Sequence, residues 1–419
     1  MRRAVSWTRG WGLLAVVLLL PGCWLQIGAG PGHTRHNPIE ANLTAANVRT
    51  LHQLWSVEVA GTLSEPIVSP EGRVFVTRVE PHQSGVRALD AATGGTLWDT
   101  SLVSVAPVSE AFAVGTPVTF VGDRLATGFF GFVPRAPSPV PGPACTLGSV
   151  VLDPATGAKS LGAPAYPSAA AEAAPVVART LLTVPTTSPC SLADVTITLE
   201  VTGSPGGGWR TALTGPPVGT FMPTLTSNRV LLTHGSTVDS YAIDGCTENC
   251  LRWTRTFAPE PLDPVVDGAG PVFVRTIGGT LFGLDQADGA TLWSARLAGS
   301  LAGGVAVAKG TVYVTSLASS GGGGVLEAFD AGGCGAIACE PVWEASFDGT
   351  SVGAPVVGGG VVYVPDGNSV VAFDASGCGA ATCSPLADIA VPGTGQLSLA
   401  GGRLFLAGNG RLTALAPEP

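Results

Sequence analysis

The chain has 419 residues, with 21 Lys and Arg against 30 Asp and Glu and a formal net charge of −9. Charged residues make up 12% and hydrophobic residues 45%, which excludes a disordered chain, and the acidic balance disfavours nucleic acid and anionic lipid as electrostatic partners. A chain this long exceeds one ordinary core, so it needs several domains or an array of repeats.

The first element is MRRAVSWTRGWG, with Arg2, Arg3 and Arg9, followed by the apolar run Leu13–Leu20. A basic n-region and an h-region too short to span a bilayer predict an export signal over residues 1–22. Leu20-Pro21-Gly22-Cys23 then puts a small residue before a cysteine. That pattern resembles the lipobox of bacterial lipoproteins, which implies acylation of Cys23 and a lipid-anchored lead segment over 23–50. The alternative is an ordinary cleaved signal that passes a cysteine. Parity favours the lipid, because of 9 cysteines Cys23 is the odd one, and an even remainder suits an oxidising compartment. Later apolar runs are all broken by Gly, Pro or polar residues, so no second span is predicted. His33 and His36 in GHTRHNP have a spacing that could suit a metal, but no carboxylate or third His joins them in a regular element. The segment reads as a flexible lead.

LHQLWSVEVA (Leu51–Ala60) reads as a strand with no hairpin ahead of it. The segments ALDAATGGTLW (Ala88–Trp98), VLDPATGAKSL (Val151–Leu161) and GLDQADGATLW (Gly283–Trp293) then share Asp-x-x-[Thr/Asp]-Gly-x-x-x-[Trp/Leu], each after a strand-like run such as GRVFVTRV or GGTLFGL. Asp can bond the backbone two residues on and Gly supplies a positive φ, so the motif predicts a turn between two strands, with Trp opening the second. The same register places turn Asp residues at Asp90, Asp153, Asp244, Asp285, Asp330 and Asp374, with Val201 in a degenerate copy. It places the docking tryptophans at Trp55, Trp98, Trp209, Trp253, Trp293 and Trp343. The spacing of about 40 to about 60 residues is that of a four-stranded propeller blade.

The last copy is split. LSLAGGRLFLAGNGRLTALAPEP supplies three strands and stops where the Asp turn is due, and Trp55 sits on the orphan strand. Pairing the two would close a ring without open sheet edges. The prediction is an all-β protein over 51–419, an eight-bladed β-propeller of four-stranded antiparallel blades. Closure comes from an N-terminal strand in the C-terminal blade.

The register also gives the cysteines addresses. Cys246/Cys250, Cys334/Cys339 and Cys378/Cys383 fall in the turns where other blades carry Asp-x-x-Thr-Gly. No His lies near them and separate blades cannot converge on one metal, so disulfide straps are predicted over metal or redox pairs. Cys145 and Cys190 fall in equivalent connections of adjacent blades, which predicts an inter-blade disulfide. Arg78 (FVTRVE) and Arg275 (FVRTIGG) lie on inner strands and could face the channel, as solvated or ion-paired arginines.

These Trp turns, together with GHTRHNPIEANLTAANVRTLHQLW, resemble the pyrroloquinoline-quinone (PQQ)-type β-propeller superfamily over roughly Gln53–Pro419. Its eight-bladed members include quinoprotein alcohol dehydrogenases and BamB-type outer-membrane assembly lipoproteins. The resemblance implies fold more than activity. Dehydrogenases of the superfamily hold PQQ and calcium in a central funnel, with a base Asp and often a disulfide between adjacent cysteines. This sequence has no Cys-Cys pair and lacks the long inter-blade insertions that build that funnel. The expectation is therefore a non-catalytic, lipid-anchored, extracytoplasmic platform of a bacterial envelope. It is monomeric, with a protein partner, the membrane as second partner, no nucleic acid and no cofactor. The alternatives are a PQQ- and calcium-dependent dehydrogenase of alcohols or sugars, and a BamB-like subunit of barrel assembly.

Overall fold

The computed structural model describes residues 23–80, 83–104, 113–115, 117–134, 143–161, 166–173, 176–183, 196–204, 207–213, 222–244, 250–299, 303–318, 323–349, 353–391 and 395–418. The described strands form eight sheets, each built on consecutive antiparallel strands. Blades 1 to 7 span 62–104, 113–161, 166–213, 224–256, 265–296, 305–347 and 356–390. Blade 8 joins Gln396–Ala400, Arg403–Gly408 and Arg411–Ala416 to His52–Glu58. His52 pairs with Ala416 and Glu58 with Arg411 across that seam, so the ring closes through the orphan strand.

Burial along the strands follows from stacking blade on blade. The central strands are covered on both faces, and Ser369–Asp374 and Arg229–His234 are accordingly almost continuously buried. An outermost strand such as Leu251–Thr256 has one face free and alternates instead.

The repeated Trp binds each blade to the next. Trp98 Nε1 donates to Pro154 O at 3.1 Å, Trp253 Nε1 to Gln286 O at 3.0 Å and Trp293 Nε1 to Ala331 O at 3.1 Å. Trp55 and Trp209 make the same link to Ala91 O and Ile243 O. Each acceptor neighbours the turn Asp of the following blade. The indole lies flat on that turn's glycine: a Cβ on Gly289 (φ +74°) would stand 2.8 Å from the Trp253 ring. Trp343 covers Gly377 of blade 7 in the same way. On its other side the indole meets a Phe of its own blade, as in Phe75–Trp98 and Phe273–Trp293.

The Asp turns form as predicted. Asp90 accepts from the Ala92 and Thr93 amides at 3.0 and 2.8 Å and from the Thr93 hydroxyl at 2.9 Å, and Asp153 repeats the pattern with Ala155 and Thr156. The Thr hydroxyl, followed by the amides, holds both carboxyls below their ordinary range. Asp285, Asp330 and Asp374 accept from the amide two residues on. Asp244 borders 245–249, which lie outside the described residues.

Candidate functional site

The channel of the ring holds the chain's own leading segment. Trp24 exchanges two backbone hydrogen bonds with Val68 of blade 1, at 2.8 and 2.7 Å. Carbonyls of Leu25, Pro31, Gly32, Thr34 and Arg35 then accept from Phe120, Leu225, Val266, Val307 and Val357, on the innermost strands of blades 2, 4, 5, 6 and 7. His36–Asn37 pairs in parallel with Val357–Gly358, and Asn37 Nδ2 donates to Leu399 O of blade 8 at 2.8 Å. Innermost strands are sheet edges whose amides need acceptors, and the lead supplies them. The expected flexible lead is thus corrected: Trp24, Leu43 and Val48 are fully buried. The sequence carried one signal of this, since Trp24-Leu25-Gln26-Ile27 is too apolar for a solvated tether.

Buried carboxylates fix the path. Glu65 accepts from Trp24 Nε1 at 2.8 Å, from the Gly28 amide at 2.7 Å and from Arg35 Nη1 at 2.6 Å. Gly28 adopts φ +67°, and a Cβ there would stand 2.8 Å from His33 Cα. At the exit, Glu40 accepts from Asn42, Leu43 and Gly402 amides at 2.7, 3.1 and 3.0 Å. Neither carboxylate stands out in the sequence, because Glu65 acts through groups distant along the chain and Glu40 meets Gly402 only in the closed ring.

The plug divides the channel. On the face opposite the Asp turns it floors a cup of about 570 Å³, walled in large part by the segments that precede the innermost strands of blades 4 to 8. Met222, Leu262 and Ile277 are among the wall's apolar side chains, and Arg35, Glu260, Asp263 and Arg275 carry its charge. Leu262 and Ile277 are 38% and 47% exposed. On the turn face a second cavity of about 600 Å³ lies between the lead and blades 6 and 7, lined in part by His36, Lys309 and Tyr313. His33 and His36 therefore point to opposite compartments and do not form a metal pair. Burial, with Arg35 beside it, pushes the His33 imidazole down to about 4. Its Nδ1 lies 3.3 Å from the Thr224 hydroxyl, which donates to Pro264 O at 2.7 Å.

Of the two candidate channel arginines, Arg275 is 2% exposed and lines the cup. Burial lowers its pKa from the ordinary value, opposed by Glu327. Burial pushes Glu327 up to about 7, and the Ala298 amide, 3.1 Å from one carboxylate oxygen, opposes the rise. Arg78 does not face the channel. Its guanidinium lies over Gly85 and pairs with Glu80 and Asp99, so its charge is directed outward along blade 1.

The predicted straps at Cys334–Cys339 and Cys378–Cys383 are disulfides with Cα separations of 5.6 Å. Each loop also clasps the preceding blade. Ser294 N donates to Ile337 O at 2.7 Å and Cys339 N to Ser294 O at 2.9 Å. Glu344 does the same with Ala381 and Cys383. The loops thus cover part of an outer edge strand in parallel register. Cys250 is disulfide-bonded; Cys246 and Cys190, and the side chain of Cys145, lie outside the described residues. Cys23 is a free, half-buried thiol whose pKa is raised by burial.

A family model described as outer membrane protein assembly factor BamB matches residues 247–334 and 278–418. A comparison with curated proteins gives no match. Among solved structures, quinohemoprotein alcohol dehydrogenase from Comamonas testosteroni aligns with a TM-score of 0.61 at 14% identity, covering 95% of this chain and 82% of that one. A europium-containing methanol dehydrogenase gives 0.59 at 11% identity, with 92% and 89% covered. BamB from Moraxella catarrhalis gives 0.51 at 15% identity, with 87% and 99% covered. The chain is a β-propeller, and its residues 247–418 resemble the BamB family model. At these identities the likeness speaks for fold, and the fit of a cofactor rests on the propeller's own side chains. A calcium-assisted quinone site needs several oxygen ligands converging on one point. Among the described residues of this propeller, no three His, Cys, Asp or Glu side chains come together to hold an ion. Glu65 is already engaged by three donors. The described lining of the cup offers the carboxylates Glu260 and Asp263 as oxygen ligands, with no third acidic side chain beside them.

Proposed function

We propose that this propeller is a PQQ-like, lipid-anchored, extracytoplasmic, non-catalytic platform that binds a protein partner. The observation that carries this reading is the plug. The chain's own leading segment occupies the channel, and the remaining cup has a rim with half-exposed apolar side chains, Leu262 and Ile277, beside Glu260, with Arg275 buried in the wall below. Half-exposed apolar anchors beside a charged group suit side chains of a partner protein. Crosslinking from the cup rim in native membranes, followed by identification of the adduct, tests it. A recurrent protein adduct that Ile277→Asp abolishes is the expected result, and adducts insensitive to that change overturn the assignment.

The match of residues 247–418 to the BamB family model favours one form of this reading, a subunit of β-barrel assembly. Co-purification with a barrel-assembly protein supports that form. The enzyme reading is a PQQ- and calcium-dependent dehydrogenase. Reconstitution with PQQ and calcium, followed by dye-linked oxidation of alcohols and sugars, is expected to give no turnover, and sustained turnover overturns the platform.

A further inference from the structure

We propose that the turn face of the ring lies directly against the membrane, so that the cup opens away from the bilayer. The inference rests on the reading that Cys23 is acylated, and adds an orientation that lipidation alone does not fix. A lipoprotein tethered by a long linker tumbles freely above its membrane. Here no linker is available. Trp24 follows Cys23 directly, is fully buried, and is held by two backbone hydrogen bonds to Val68 and one from its indole to Glu65. One residue reaches no more than about 3.6 Å, so the ring surface around Cys23 must sit at the level of the headgroups.

That surface is the turn face. Cys23 precedes Trp24, which pairs with Val68 at the start of the turn Ser69–Gly72, and the Gly72 carbonyl accepts from Ala91 in the Asp90 turn. The lead enters the channel from this face, and its exit by Glu40 meets Gly402 in a turn of blade 8 on the same side. A second observation agrees. Among the described residues seven large apolar side chains are exposed; Leu262 and Ile277 stand on the cup face, and the other five are Leu54, Leu97, Leu292, Ile337 and Val342, at 40%, 47%, 43%, 65% and 64%. All five lie near the turn-face ends of outermost strands or in a clasp loop, and so form an interrupted apolar rim. Such side chains suit the headgroup boundary, where an acyl chain supplies attachment and the rim sets the plane. The turn carboxylates on the same face give it no electrostatic affinity for anionic lipid, which makes the acyl chain necessary.

The test uses the full acylated protein in phosphatidylcholine vesicles carrying an acceptor dye on the headgroups. Donor dyes are placed by Ala92→Cys in the exposed Asp90 turn and, separately, by Ile277→Cys at the cup rim. The two faces are separated by about the length of the 8-residue strand Arg73–Glu80, roughly 25 Å. Energy transfer at position 92 is expected to exceed that at 277 severalfold, and a flexible Gly-Ser linker inserted between Cys23 and Trp24 should erase the difference. Equal transfer at both positions in the protein without the inserted linker, with its mass showing the acyl group, overturns the orientation while leaving the anchor intact. A mass without acyl groups overturns the anchor, and the orientation with it. Loss of binding to the same vesicles in Cys23→Ser separates attachment by the lipid from attachment by the rim.

Discussion

Replacing Glu65 by Ala is expected to release the plug while leaving the ring folded. Glu65 is 3% exposed and takes three donors, the Trp24 indole, the Gly28 amide and the Arg35 guanidinium. Hydrogen bonds to an ionised group contribute about 1.5–3 kcal/mol each. Arg35 is 17% exposed along its side chain and recovers part of its hydration, so the three contributions do not add fully. An expected loss of about 4 kcal/mol in the free energy that holds the plug corresponds to roughly a thousandfold in its opening equilibrium. Amide hydrogen exchange reads this directly, because Val266, Val307 and Val357 donate to plug carbonyls. Their exchange should accelerate by about that factor, while Val274, paired within blade 5, keeps its protection. Glu65→Gln, which keeps the shape and one acceptor oxygen, should fall between. Unchanged exchange at Val266 and Val307 in a folded Glu65→Ala protein would refute the assignment of Glu65 as the clamp.

Three further outcomes are expected. Gly289→Ala forces a Cβ to 2.8 Å from the Trp253 ring, whereas Gly268→Ala at φ +59° meets nothing within 4 Å. Both carry a left-handed backbone cost of about 1–2 kcal/mol, and overpacking should add about 1–3 kcal/mol at 289 alone, measured as the difference in denaturant midpoints. His33, held down to about 4, and Glu327, held up to about 7, should tilt stability with pH in opposite directions. His33 is neutral in the fold, so its contribution is lost as pH falls from about 6.5 to 4; Glu327 favours the protonated fold, so its contribution is lost as pH rises from about 4.5 to 7. Each amounts to about 3 kcal/mol. His33→Asn should therefore flatten the acid side of the stability profile and Glu327→Gln the neutral side, and parallel profiles for both variants would contradict the assignment. Removing the Cys334–Cys339 bond with paired Ala substitutions should cost about 2 kcal/mol in thermal unfolding and expose the amides at positions 294 and 339 to exchange.

The blades and their order were legible in the sequence because their determinants are local. An Asp that bonds amides two and three residues on and a Gly with positive φ act within one turn. The Trp that follows recurs at the same offset, so the repeat of Asp90–Trp98 at Asp285–Trp293 announces strands, turns and inter-blade contact together. The split last copy announced closure in the same way, since an unpaired strand at one end and a missing one at the other have a single solution in a ring. The straps at Cys334–Cys339 and Cys378–Cys383 followed from register, although their clasp on the preceding blade did not, because Ser294 and Glu344 meet them only after the blades stack.

Beyond the apolar start of the lead, the tertiary structure decided what fills the channel. The amides at Val266, Val307 and Val357 belong to different blades and line one axis only once the ring has closed, and that ring of donors gives the leading segment its path. Glu65 and Arg35, 30 positions apart, become a buried pair for the same reason, whereas Arg78 finds Glu80 and Asp99 within its own blade and leaves the channel. Periodicity in a sequence reports on neighbours along and across strands. The interior of a closed ring is shared by all its blades, and what it stabilises is settled by the geometry of closure.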